Sequence, residues 1–385
     1  MKKIFLTTIA LLSMASATIF GMYGVDTDWI FFLTHGNQFR ARLDQLGFTL
    51  GNDTIKGTFG FDNNTGYGGA YGGLLVDNDP TGKHSSSWVP SISMGLGYTS
   101  SLISVGVGYN ATIGGQIQKF NGKAESKTVN KSAHTPVLVL NAMDNAFRMA
   151  IPIQVYVNND KFDGGGYDNE MAVSVDSQFR YYTGLDALPQ VRLFLRYGLY
   201  QNESKADKDA KKEKQKYAES FGFDFRLYFG SMVEEVALQP LVKLAYNQAL
   251  GNYHQDTKVE AVKAMNGDYN SYQSGSYGGS VWDLQLMTGL GLTANSDIVS
   301  LYLEPQLGLA VTSRAPIVAT APGTPTPARV TTESYSLAYN VYAEIYITPL
   351  KNLEWYFEAQ LGSGANQNSL VFNGTTGITW YLPAL

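Results

Sequence analysis

Alternation of apolar and polar residues, repeated along most of the chain, is the feature that most restricts its fold. In the stretch AFRMAIPIQVYVNN (146–159), every second residue from Phe147 to Val157 is apolar, whereas the other parity includes Arg148 and Gln154. Successive side chains of a β-strand point to opposite faces, so this stretch predicts a strand with one apolar face. An arginine on the opposite face indicates that this face meets water, and that the apolar face meets a different medium.

The connections between these strands alternate in length. Short ones centre near Asn52, Ser100, Asp144, Asp186, Val233, Asn295 and Leu350, and long ones span about 62–90, 114–133, 159–169, 201–217, 248–279 and 312–332. Short turns on one side and long loops on the other are typical of a transmembrane β-barrel. The sequence therefore predicts an all-β, antiparallel, up-and-down transmembrane barrel, with an exported soluble sandwich or propeller as the alternative.

The number of strands depends on the N-terminal part of the mature chain. DTDWIFFLT (26–34) is a candidate first strand with Trp29, Phe31 and Leu33 facing outward, and this gives sixteen strands. Within 39–50 the apolar parity changes, which a β-bulge would absorb. A short N-terminal helix or plug segment followed by fourteen strands is the alternative.

The first residues have the three parts of a secretory signal peptide. Lys2 and Lys3 precede an apolar segment at 4–12, and Ala15-Ser16-Ala17 supplies the small-x-small cleavage pattern. We expect cleavage after Ala17, so that 1–17 is the signal peptide and 18–385 a single barrel domain. The rest of the chain has no apolar run near the roughly 18 residues of a spanning helix, so a membrane would be crossed by strands.

Composition and motifs exclude several functional classes. The net charge of −5 is opposite to that of most nucleic-acid-binding domains, and the absence of cysteine excludes disulfides, thiol catalysis and cysteine-based zinc sites. The four histidines fall in connections and none belongs to a recognisable catalytic motif. The sequence predicts no enzyme activity, no cofactor and no metal site.

Charged residues with inward parity form two groups. The basic group occupies earlier strands and the acidic group later ones, with Asp176 and Asp224 as acidic exceptions. The pore-lining candidates are Arg148, Arg180, Arg192, Arg196, Arg226, Lys243, Asp283, Glu304, Glu344, Glu354 and Glu358. Opposed charged walls would tune the selectivity of an aqueous channel. The alternative is a set of ion pairs and hydrogen bonds that brace a filled lumen.

The C-terminal strand TTGITWYL (375–382) resembles the signal read by the barrel-insertion machinery of outer membranes. Gly377, Trp380 and Leu382 match its glycine and its two large apolar positions, although Pro383 and two further residues follow where the signal usually ends. The resemblance implies that this machinery is an assembly partner.

The N-terminal region is similar to a known family. FLTHGNQFRARLDQLGF and TIKGTFGF, both within 20–61, resemble the start of the variable surface proteins of intestinal spirochaetes. This implies an abundant outer-membrane surface protein with exposed, antigenic loops that vary between paralogues, and it brings no catalytic residues.

The expected function is therefore that of an integral outer-membrane surface antigen with passive pore activity as an additional property. A diffusion porin with a charged lumen is one alternative, and an adhesin that binds a host surface through its loops is another. The lysine-rich segment 203–216 and the Tyr-rich segment 266–280 are the loops that favour the adhesin. The expected partners are outer-membrane lipid and antibodies or a host surface, with no nucleic acid, while homo-oligomerisation stays open.

Overall fold

A computed structural model of the chain describes residues 32–42, 45–62, 77–78, 85–86, 91–113, 119–121, 125–128, 131–162, 164–233, 236–250, 282–314, 332–363 and 370–383. Sixteen antiparallel strands form a closed barrel, as the sequence predicts. The strands are β1 Gln38–Arg42, β2 Gln45–Gly51, β3 Ile55–Asp62, β4 Ser91–Tyr98, β5 Ile103–Ile113, β6 Lys131–Ala142, β7 Phe147–Phe162, β8 Tyr167–Tyr182, β9 Gln190–Lys205, β10 Glu213–Tyr228, β11 Val236–Ala249, β12 Trp282–Asn295, β13 Val299–Arg314, β14 Thr332–Leu350, β15 Leu353–Ser363 and β16 Leu370–Tyr381.

Each strand pairs with the next in the chain, and β1 closes the barrel against β16. The closing ladder runs from Gln38 opposite Tyr381 to Arg42 opposite Gly377. Shorter strands form two pairs within the connections that follow β3 and β5. Asp77–Asn78 pairs with Ser85–Ser86, and Lys119–Asn121 pairs with Glu125–Thr128. In a closed barrel every strand has a partner on both sides, which removes the unpaired edges of an open sheet.

Burial alternates along the strands as the sequence predicts. On β7, Arg148, Gln154 and Tyr156 are buried on the inner face, whereas the residues from Phe147 to Val157 of the other parity are more exposed. The barrel is apolar outside and polar inside, the reverse of a water-soluble domain. Within the described ranges, no helix is both long and apolar enough to cross a membrane.

Seven short connections lie together at one end of the barrel, which we call the turn end. Asn52 closes the first of them, because its Oδ1 accepts hydrogen bonds from the backbone N–H groups of Thr54 (2.9 Å) and Ile55 (2.8 Å). In the connection before β7, the consecutive residues Met143, Asp144 and Asn145 all have positive φ. We call the opposite end, where the longer connections lie, the loop end.

The N-terminal strand differs from the prediction. Residues 26–31 lie outside the described part of the chain, and Phe32–Thr34 forms a single 3₁₀ turn with Phe32 and Leu33 buried. The sixteenth strand comes instead from 38–51, because the parity change there is a chain reversal between β1 and β2, with Arg40 opposite Gly47, rather than a bulge. A bulge and a tight hairpin both shift the apolar parity, so alternation alone does not distinguish them.

Two of the predicted long loops contain strand ends. β7 and β8 remain paired as far as Lys161 opposite Tyr167, so only 163–166 connects them, and β9 and β10 are joined by 206–212. Gly164 and Gly165 adopt φ of 99° and 83° in the first connection. The strands β7, β8, β9 and β10 have 16 residues each. Their polar ends lack apolar alternation, which is why the sequence predicts loops there. The remaining long connections fall largely outside the described residues.

Candidate functional site

The barrel interior is the candidate site, and the structure brings the predicted charged residues onto its inner face. Glu354 is partly exposed, and the other ten pore-lining candidates are buried: Arg148, Arg180, Arg192, Arg196, Arg226, Lys243, Asp283, Glu304, Glu344 and Glu358. Arg226 is 0% exposed. Charged side chains are rarely buried without partners, so their contacts determine what this interior can do.

Strand register places five cations in one row across neighbouring strands. Arg148 stands opposite Arg180, Arg180 opposite Arg192, Arg192 opposite Arg226, and Arg226 opposite Lys243. We call these five residues the basic row. Directly opposed side chains have Cβ atoms about 4.5–5.5 Å apart, at which distance like charges repel. Parity assigns each residue to the inner face, but only the register aligns them.

One end of the basic row is neutralised by Asp224. Arg226 donates to both carboxylate oxygens, from Nε to Oδ1 at 2.8 Å and from Nη2 to Oδ2 at 2.7 Å. The Lys243 Nζ lies 3.6 Å from Oδ2. In the next layer, Arg196 Nε lies 3.5 Å from Asp176 Oδ2. Asp176 and Asp224, the two inward acidic residues on the predominantly basic strands, are thus counter-ions of the surrounding cations.

Arg148, at the other end of the row, and Arg192, in its middle, contact uncharged groups. Arg148 donates from Nε to the backbone oxygen of Asn145 at 3.2 Å, and its guanidinium lies 5.1 Å from the centre of the Tyr182 ring. Arg192 donates to Gln190 Oε1 at 3.1 Å and lies 4.6 Å from the centre of the Tyr228 ring. Cation–π contacts of this kind offset part of the cost of burying a guanidinium.

The acidic residues on the later strands accept hydrogen bonds from neutral donors. Glu304 accepts from the Tyr302 hydroxyl and from Gln306 Nε2, the latter at 2.6 Å. The hydroxyl of Tyr342 donates to both Glu344 and Glu358. Glu354 accepts from the Tyr381 hydroxyl at 3.0 Å, and Asp283 from Asn247 Nδ2 at 3.2 Å. Glu304 also interacts electrostatically with Arg226, so the acidic and basic walls are coupled.

An N-terminal segment occupies the interior beside β3, β4 and β5. Phe32 and Leu33 lie against three inward glycines, Gly95, Gly97 and Gly106. The Lys56 Nζ donates to the backbone oxygens of Leu33 (3.1 Å) and His35 (2.9 Å). The sequence predicts Leu33 on the outer face of a strand, and the structure corrects this, because glycines on the inner wall leave space that apolar side chains fill.

The closing seam contains the predicted assembly residues. Gly377 is buried, whereas Trp380 points outward and is 53% exposed. The backbone N–H of Leu382 donates to the Asn37 oxygen, and Asn37 Nδ2 donates to the backbone oxygens of Gly51 and Pro383 at 2.9 Å each. The residues that precede β1 and those that follow β16 therefore meet at the turn end. Ala15 and Ala17, the predicted cleavage residues, lie outside the described part of the chain.

At the loop end, an exposed network joins the ends of β8, β9 and β10. Glu203 accepts from Lys212 at 2.6 Å, Lys214 at 3.2 Å and the Tyr167 hydroxyl at 3.2 Å. The hydrogen bond from Lys212 holds the pKa of the Glu203 carboxyl below its usual range. Among the residues that the structure describes, no group of three or more acidic or histidine side chains is arranged to hold a metal ion.

Comparison with solved structures finds outer-membrane barrels. The chain is similar to the ferric-catecholate import receptor Fiu of E. coli K12 in its open form, with 8% identity, a TM-score of 0.41, and coverage of 86% of this chain and 63% of that one. It is also similar to the translocator domain of the autotransporter NalP of Neisseria meningitidis, with 13% identity, a TM-score of 0.31, and coverage of 74% and 90%. The chain thus spans less than two thirds of the receptor. No curated protein matches it.

One family model matches nearly the whole sequence. It describes the variable surface protein of Serpulina hyodysenteriae and aligns with residues 2–381. The match extends the N-terminal resemblance across the barrel strands, the inner charged residues and the closing seam. The chain belongs to the Serpulina variable surface protein family.

Proposed function

We propose that this chain is an integral outer-membrane protein that displays its loop end at the surface of a double-membraned bacterium, where it acts as an antigen. The observation that carries the proposal is the inverted distribution of polarity. Leu96 is 60% exposed and Val107 58% exposed on the outer face, whereas Arg180 and Arg192 are 2% exposed inside. Such an outer face is stable only in an apolar medium, and a lipid bilayer provides one.

Outward aromatic residues support the placement of the barrel in a membrane. Near the turn end, Tyr98, Tyr181, Trp355 and Trp380 are exposed. Nearer the loop end, the rings of Phe221, Tyr246 and Trp282 form a continuous outward cluster with centroid separations of 6.0 and 6.2 Å. Two aromatic girdles, one at each membrane interface, are a regular feature of outer-membrane barrels.

The paired ends of β7 to β10 support a role in display. A transmembrane strand needs about 9–11 residues, and these strands have 16. The excess lies at the loop end, where Glu203, Lys212 and Lys214 form the exposed network. A rigid polar projection and the neighbouring long connections would present the surface that antibodies meet.

The chain contains no cysteine, so single introduced cysteines test the orientation directly. Lys208 lies in the exposed 206–212 connection, and Lys351 lies in the exposed turn between β14 and β15. In intact cells, a membrane-impermeant maleimide is expected to label Lys208→Cys and not Lys351→Cys. Permeabilising the outer membrane should then expose both. Labelling of Lys351→Cys alone in intact cells would reverse the orientation, and labelling of both would exclude this barrel topology.

A diffusion porin is the second candidate, and the basic row is the observation that favours it. Inward charge in a water-filled lumen produces ion preference. The near-complete burial of the row favours instead a braced interior that conducts little. Refolded protein in a planar bilayer distinguishes the two. Large conductance steps with a preference for anions would support the porin, provided that this preference decreases in an Arg192→Gln, Arg196→Gln variant. Inserted protein that conducts no current would support display alone.

A further inference from the structure

Lysines are concentrated on the outer face of β7 to β10, just beyond the apolar part of these strands. Val157, Met171, Gln201 and Lys216 stand opposite one another on the four strands, and in this row the outward residues change from apolar to polar. From this row to the loop end, the outward lysines are Lys161, Lys205, Lys212, Lys214 and Lys216, which we call the lysine patch.

The acidic residues of the same strand ends lie mostly on the inner face. Asp160 and Asp168 stand directly opposite each other there, and Glu170 has the same parity. Among the described outward residues of these strand ends, two glutamates, Glu203 and Glu219, accompany the five lysines. The outer face therefore has an excess of three positive charges, although the whole chain has a net charge of −5.

The two glutamates neutralise only part of the lysine patch. Glu203 contacts Lys212 at 2.6 Å and Lys214 at 3.2 Å, and Glu219 contacts Lys216 at 2.9 Å. The side chains of Lys212 and Lys214 remain 51% and 72% exposed. Ion pairs at such exposed positions are weak, so these lysines can exchange partners at little cost.

The other two lysines of the patch contribute charge that no described carboxylate offsets. Lys205 donates to the backbone oxygen of Lys208, which is a neutral acceptor. Lys161 is exposed and forms no ion pair within the described part of the chain. The lysine patch is therefore a cationic surface that lies directly beside the apolar outer face of the barrel.

We propose that the lysine patch binds the phosphate groups of anionic lipids in the outer leaflet, an inference that rests on the membrane placement proposed above. Lys216 lies in the last row with outward apolar residues, and Lys214 lies two residues farther along β10, about 7 Å in an extended strand. The patch thus begins where lipid headgroups adjoin the acyl chains. Lysine stems lie along apolar surface and extend their ammonium groups to anionic headgroups.

The position of the patch favours a lipid over an acidic polymer in the medium. Such a polymer would meet the tip of the connection between β9 and β10 first. At that tip Lys208 and Lys211 are balanced by Asp207 and Asp209, all of them exposed. The uncompensated charge lies lower, beside the apolar face, where a headgroup reaches it.

Tryptophan fluorescence can measure which lipids contact the outer face near the patch. Trp282 is retained in the outward aromatic cluster near the loop end, and the other four tryptophans are replaced by phenylalanine. Refolded protein is inserted into vesicles of phosphatidylcholine and phosphatidylglycerol in which one lipid carries brominated, quenching chains. We expect phosphatidylglycerol to bind beside Trp282 at least about fivefold more strongly, the effect of one lysine at an anionic surface.

Two double variants locate the preference. Lys205→Gln with Lys214→Gln removes two charges of the lysine patch, so the two lipids should then bind about equally. Lys208→Gln with Lys211→Gln is the matched control, because it removes the same charge from the tip of the connection. The control should retain the preference for phosphatidylglycerol. All four positions are on the surface, so folding of the barrel should not be affected.

Three results would overturn the proposal while leaving the membrane placement intact. They are equal binding of the two lipids by the unchanged protein, equal loss of preference in both double variants, and loss of preference when inorganic phosphate replaces chloride at equal ionic strength. The last result would assign the patch to a free anion. Protein whose Trp282 is quenched by neither lipid has not entered the bilayer, which would overturn the membrane placement and this inference together.

Discussion

The side chain of Leu33 occupies the space that a side chain at position 97 would need. A Cβ built on Gly97 would lie 2.0 Å from Leu33 Cδ2 and 3.1 Å from Phe32 Cε2. The N-terminal segment is therefore complementary to the glycine-lined part of the inner wall, and Lys56 ties its backbone to β3.

Gly97→Val should displace this segment from the wall and destabilise the barrel. Overpacking of this kind costs about 1–3 kcal/mol, measurable as a lower midpoint of urea unfolding of the refolded protein. Gly57→Val is the matched control, because the nearest atoms to a Cβ at Gly57 are 3.8 and 4.0 Å away. Equal effects of the two variants would contradict the proposed fit.

Asp224→Asn should destabilise the barrel strongly, because Arg226 and Lys243 would lose their shared counter-ion in a buried place. Removing one partner of a buried ion pair costs about 3–5 kcal/mol, and urea unfolding would measure it. Asp209→Asn, at an exposed position of the loop end, should change stability by less than about 0.5 kcal/mol. A tolerated Asp224→Asn would show that this pair does not brace the wall.

The loop-end network should have a defined pH dependence. The pKa of Glu203 is lowered in the folded state, so its contact with Lys212 is fully present above the usual carboxyl range and is lost only as pH falls through the lowered value. A spin label on Asp209→Cys should become more mobile at that lower pH. Adding Glu203→Gln should make the label mobile at every pH, and a transition unchanged by this substitution would assign the effect to another group.

Trp380→Ala combined with Leu382→Ala should reduce delivery of the protein to the outer membrane, if the closing strand is read by the assembly machinery. Fractionation of cells would measure the amount in the membrane. Trp355→Ala is the control, because Trp355 is outward, near the turn end and 47% exposed, similar to Trp380 at 53%. Equal losses would indicate that both tryptophans anchor the barrel in lipid and that neither position is a signal.

Alternation of apolar and polar residues, together with the alternation of short and long connections, was sufficient to predict the antiparallel barrel and its inner face. Arg148, Arg192 and Glu344 could be assigned inward from the sequence because side chains of a strand alternate with a period of two, which is a local property. The short turns were equally readable, since residues such as Asn52 mark them. The N-terminal strand was misplaced because a hairpin and a bulge leave the same parity change at 39–50.

Only the tertiary structure determined which inner residues meet. The alignment of Arg148, Arg180, Arg192, Arg226 and Lys243 depends on the register of four successive ladders, and parity carries no information about register beyond odd and even. The contact of Lys243 with Asp224, the fit of Leu33 against Gly97 and the paired polar ends of β7 to β10 are likewise decided by the tertiary fold. The sequence alone determined the face of the residues on the strands that it placed correctly, and strand register in the closed barrel determined their partners on neighbouring strands.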